Sequence, residues 1–101
     1  MTFNLKIMPE AKAQLAELKK DAGLEKHLKA VSGALNKLRQ NPRHPGLNSH
    51  PYDSLVGPSR ESIWESYAEN NTPCAYRIFW FYGPERGLIS VTSIVAHPDD
   101  H

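Results

Sequence analysis

Arg77 is the one charge in a run of aromatic and apolar residues. Between Ala75 and Tyr82, alternation puts Tyr76, Ile78, Trp80 and Tyr82 on one side of an extended chain. Ala75, Phe79 and Phe81 share the other side with Arg77. A guanidinium set among such residues needs an anionic partner or ligand, and its rigid fork suits a phosphate. Glu65 precedes Tyr67 by two residues, so both point to the same face of the run 61–68. Glu65 can therefore serve as a proton acceptor or as the ion partner of Arg77. His97 closes the apolar run that begins at Leu88, and an imidazole titrates near neutrality, at about 6.5. It is either an acid–base group or an exposed histidine before Pro98. His44, His50 and Asp53 lie close together, but their spacing matches no familiar metal site. They read as surface residues, with His50 or Tyr52 a possible border to a substrate groove. Cys74 sits beside Pro73 with no base near it in sequence and reads as a bystander.

The elements that would position these groups are legible from periodicity. Phe3, Leu5 and Ile7 alternate with polar residues and predict a short strand, which Pro9 ends and converts into the first turn of a helix. Ala11, Leu15, Leu18 and Ala22 form one stripe of a helix over 10–22, with Gly23 placed to close it. Leu24, Leu28, Val31, Leu35 and Leu38, at spacings of four, three, four and three, predict a second helix that ends at Asn41-Pro42. His27 falls on the flank of that stripe, where it is expected to be solvated. So short a link makes the two helices an antiparallel hairpin. Residues 41–59 are rich in proline and glycine and read as a long ordered connection, with room for a short strand and with Leu47, Tyr52 and Leu55 as anchors. Strands follow over 61–68, 75–82 and 88–96, separated by turn residues. In the last of these, Ile89, Val91, Val95 and His97 share one parity. The helices must bury their stripes on one sheet face, which leaves the opposite face for a ligand.

Composition narrows the class. At 101 residues the chain suits one domain, 1–101, with enough surface to bury to fold without staples. A single cysteine allows no internal disulfide, no apolar run approaches a membrane span, and the first residues lack a signal-peptide pattern; a cytoplasmic protein is expected. The net charge of +1 is unevenly spread: residues 1–43 carry 9 basic and 4 acidic side chains, residues 44–101 carry 3 and 7. Clustered positive charge of the kind polyanions require therefore lies in the helical half.

The chain resembles the RelE/ParE toxin superfamily, the toxins of type II toxin–antitoxin systems. The likeness rests on the order of elements and on short motifs. His27-Leu28-Lys29-Ala30-Val31 runs through Leu38 into Asn41-Pro42-Arg43-His44-Pro45-Gly46-Leu47. Trp64-Glu65-Ser66-Tyr67 and Ala75-Tyr76-Arg77-Ile78-Phe79-Trp80 are similar to the two central strands, and Ser90 to His97 to the terminal one. The resemblance implies a RelE-like α+β fold of β-α-α-β-β-β order, a helical hairpin on one face of a mainly antiparallel sheet. It implies two activities. RelE-like members are endoribonucleases (mRNA interferases), usually acting on the ribosome; ParE-like members inhibit DNA gyrase. Both have a small antitoxin partner, and neither is a membrane protein. RNA cleavage through the 2′-hydroxyl needs a base, positive charge on the phosphorane and an acid. It needs no cofactor or metal, because the nucleophile already adjoins the phosphate. Under the resemblance Arg77 matches the phosphate-binding arginine and His97 a catalytic histidine, with Glu65 or His50 as base. Arg60 and Tyr67 would add RNA-binding contacts, one to phosphate and one by stacking. The alternative is a ParE-like gyrase inhibitor or a non-toxic orphan binding protein of the same fold.

Overall fold

The computed structural model describes residues 2–70 and 72–96. Strand β1 (Asn4–Ile7) leads into helix α1 (Pro9–Lys20), and a 3-10 turn at Ala22–Leu24 leads into α2 (Glu25–Gln40). A second such turn, Pro45–Leu47, precedes β2 (His50–Val56), β3 (Ser62–Tyr67), β4 (Tyr76–Tyr82) and β5 (Leu88–Ala96). The five strands form one sheet in the order β1-β5-β4-β3-β2, with β1 parallel to β5 and every other pair antiparallel. The expected α+β architecture is present, and the connection over 41–59 carries a full edge strand, β2.

The helices cover one sheet face. Ala11 and Leu18 of α1 and Val31, Ala34 and Leu38 of α2 pack against Ile78, Trp80, Ile89, Val91 and Ile94. Each large aliphatic side chain buried there stabilises the fold by about 1.5–3 kcal/mol. The opposite face has a smaller apolar cluster, in which Ile63, Phe79 and Phe81 are flanked by Met8, Tyr52 and Val95. Among the described residues no helix covers this face.

Four details differ from the sequence reading. Helix α1 stops at Lys20 rather than at Gly23, because Asp21 is extended and its carboxylate accepts a hydrogen bond from the Gly23 N–H at 2.8 Å. Leu55, expected as an anchor, lies on the edge strand and is exposed, whereas Leu47 is buried. The single parity expected for the last strand is broken by a bulge: Phe79 pairs with Ser93 and Trp80 with Val91, which leaves Thr92 as the extra residue. Beyond it Ile94 joins Ile89 and Val91 under the helices, and Val95 turns to the open face. His27 is not solvated; only 21% of its side chain is exposed, and its Nδ1 lies 2.7 Å from Glu69 Oε1.

A buried polar chain ties the connection to the sheet. The Trp80 indole N–H donates to Ser66 Oγ at 2.8 Å, Ser66 and Ser49 hydroxyls are 2.6 Å apart, and Ser49 donates to the Pro42 carbonyl at 2.8 Å. Every donor is used when Ser66 donates to Ser49. Ser66→Ala strands the indole N–H and should lower unfolding free energy by about 1–3 kcal/mol in a denaturant titration. Burial, and for Tyr76 also the nearby Glu69 carboxylate, raise the Tyr76 and Tyr82 phenols above their ordinary value, while Arg43 partly opposes this at Tyr82. The folded state then holds protons that the unfolded chain releases. Stability is therefore full below pH about 10 and falls as pH rises through the folded phenol values. Absorbance titration should show these two phenolates forming later than those of the unfolded protein.

Candidate functional site

Strand register assembles the site on the open face. His50 lies directly across from Glu65, and Tyr67 directly across from Arg77. Glu65 thus faces His50 on one side and Arg77 diagonally on the other, within reach of a long side chain. The carboxylate is almost enclosed, with 6% of its side chain exposed against 13% for Arg77 and 41% for His50. Burial at that level demands compensation of its charge.

His50 supplies part of it. Its Nδ1 lies 2.7 Å from the Asn48 carbonyl and its Nε2 2.7 Å from Glu65 Oε1. A carbonyl only accepts, so Nδ1 carries a hydrogen. The Nε2–Oε1 contact then requires one more proton, shared between nitrogen and carboxylate. The pair is either an imidazolium with a carboxylate or a neutral imidazole with a carboxylic acid, and in both forms it stores a transferable proton. Asn48 aims its carbonyl from a left-handed turn, at φ 52°, a conformation asparagine tolerates well.

Arg77 supplies the rest at longer range. Its Nε stands 3.6 Å from Glu65 Oε2, too far for a hydrogen bond, and neither atom has another partner among the described residues. The guanidinium carbon sits 3.8 Å from the centre of the Tyr67 ring, a cation–π contact. Nη1 donates to the Glu69 carbonyl at 2.8 Å and, at 3.4 Å, to the Tyr76 carbonyl; Nη2 makes no hydrogen bond with the described residues. Tyr67 also meets the His50 ring edge-on at 5.5 Å.

Glu65, Tyr67, His50 and Arg77 are therefore brought together. Arg60 is not; it lies in the β2–β3 turn at the other end of β3, exposed and at φ 66°. His97 lies outside the described residues. Cys74 is exposed. Two participants were missed. Asn48 and Glu69 act through main-chain carbonyls, and nothing in their side-chain types marks that role. A separate hollow of about 400 Å³ opens on the same face, lined in part by Met8, Leu55, Val56, Pro58, Ile63 and Ser93; none of the clustered charges reaches it.

No protein-family model matches the chain, and no curated protein matches it. Solved structures do. The archaeal RelE–RelB complex from Pyrococcus horikoshii OT3 aligns with a TM-score of 0.65 at 15% identity, over 99% of this chain and 100% of that one. The YoeB/ParE toxin from Agrobacterium tumefaciens aligns at 0.68 and 10% identity, over 93% and 98%. The YoeB dimer from Staphylococcus aureus aligns at 0.62 and 13%, over 96% and 99%. The chain has the RelE/ParE toxin fold. Among the described residues no helix is long and apolar enough to cross a membrane.

The hydrogen-bond geometry makes a direct spectroscopic prediction. In two-bond ¹⁵N–¹H correlation spectra, His50 should carry a proton on Nδ1. A neutral ring protonated at Nε2 would contradict the arrangement with Asn48 and Glu65.

Proposed function

We propose that this chain is the toxin of a type II toxin–antitoxin system and acts as a RelE-like mRNA endoribonuclease, with cleavage by the 2′-hydroxyl. The observation that carries the reading is a proton-storing His50–Glu65 pair beside an arginine with an uncommitted Nη2, on the sheet face that the helices leave open. Arg77 holds the scissile phosphate through that free edge. Glu65 Oε2, which has no hydrogen bond, accepts the 2′-hydroxyl proton once substrate has drawn the guanidinium aside, and His50 steadies the charge on the other oxygen. Tyr67 offers its ring to a base. His97 takes the acid role on the resemblance, and Arg60 that of a distal phosphate contact. An antitoxin partner is proposed from the likeness to RelE in its complex with RelB.

A second reading has support of its own. The carboxylate is nearly sealed, Arg77 stands over it, and residues 44–101 contain no lysine and more acid than base. Such a surface favours fewer phosphate contacts and suits a ParE-like gyrase inhibitor or an orphan binding protein.

Purified protein should cut single-stranded RNA in the presence of EDTA and leave 2′,3′-cyclic phosphate ends. Arg77→Ala and Glu65→Gln should each lower the rate by about 10²-fold or more. Unchanged cleavage in both variants would refute the site. Growth arrest that survives in them without cleavage would support the gyrase reading.

A further inference from the structure

Arg77 and Glu65 do not behave as close arginine–carboxylate pairs usually do. Such pairs close into a fork with N–O distances near 2.8 Å, yet here Nε and Oε2 stand 3.6 Å apart, with both atoms otherwise unpartnered among the described residues. Something restrains the guanidinium. The candidate is Glu69, just past the end of β3. Its carbonyl accepts from Arg77 Nη1, not from the Nε that faces Glu65, at 2.8 Å.

Glu69 is itself held from the helical side. Its Oε1 accepts from the Tyr76 N–H at 3.0 Å and lies 2.7 Å from His27 Nδ1, in the first turns of α2. The His27 ring packs on Tyr76, centroids 5.0 Å apart. The Glu69 side chain is 10% exposed, so this contact is largely shielded from water. One residue thus spans the sheet: its carboxylate is fixed by the helix layer, and its main chain fixes the arginine on the open face.

We propose that Glu69, locked by His27, is a positioning residue that keeps Arg77 from collapsing onto Glu65 and so preserves its free edge for a phosphate. This rests on the reading of Arg77 as a phosphate ligand. Without the lock, Nη1 loses its short bond to the Glu69 carbonyl and keeps only the 3.4 Å contact with the Tyr76 carbonyl, and the guanidinium closes a bidentate pair with Glu65. Its donors are then consumed within the protein.

The test uses the full chain, inorganic phosphate as probe, and the Arg77 Nε–H signal in ¹⁵N-edited spectra. Glu69→Ala and His27→Phe should weaken phosphate binding about tenfold, the effect of one charge-assisted hydrogen bond, and shift the Nε–H signal downfield. Glu69→Gln keeps an acceptor for Tyr76 and His27 and should bind as the parent does. Adding Glu65→Gln to Glu69→Ala removes the carboxylate and should restore binding, which a merely misfolded variant would not do. Equal phosphate affinity and an unmoved Nε–H signal in Glu69→Ala would overturn the positioning role. If the parent chain gives no phosphate response at Arg77, the phosphate assignment fails instead. The Nε–H signal then decides the restraint alone: a downfield shift in Glu69→Ala sustains it, and no shift overturns it.

Discussion

A carboxylate removed from water must have its charge answered by its surroundings, and around Glu65 the sheet is arranged to do so. His50 answers from β2 and Arg77 from β4, because β3 lies between them and the register sets both within reach. The surrounding packing follows. Tyr67 fills the space above the guanidinium, and Phe79, with Tyr52 against it at 4.9 Å, forms an apolar floor. Low local polarity strengthens each charge contact and makes each unpaired atom more costly. The site is thus a balance of ionic groups on an apolar bed, open toward the side without helices.

The helical layer contributes more than a cover. α1 packs on β5, and α2 reaches the β3–β4 hairpin through His27. The serine chain from Trp80 to Pro42 anchors the segment that delivers His50. The edge strand carrying the imidazole is thereby referenced to the same core as the strand carrying the arginine.

Much of this was legible in the sequence, for a definite reason. Strand alternation assigns faces without knowledge of partners, so Glu65 with Tyr67 and Arg77 with Phe79 followed from parity alone. Helical stripes showed in the same way that one sheet face must be covered. What escaped depended on partners. His27 looks like a flank residue until the hairpin brings Glu69 to it, 42 positions away in the chain. The contributions of Asn48 and Glu69 come from carbonyl oxygens, which every residue possesses. The edge strand was only partly visible, because prolines and exposed residues blur its alternation. Arg60 was grouped with the site by charge, although the β2–β3 turn puts it at the far end.

The bulge in β5 carries a last consequence. Thr92, whose hydroxyl donates to the Phe79 carbonyl at 3.1 Å, inserts a half-step into an otherwise regular alternation. Were Thr92 drawn into regular pairing instead of bulging out, the remainder of the strand would turn inside out, exposing Ile94 and driving Val95 beneath the helices. Exchanges of side chain along this strand are matters of degree, whereas flattening the bulge with every residue retained would swap the two faces for everything downstream. In this segment the half-step is what reconciles nine residues with two fixed faces.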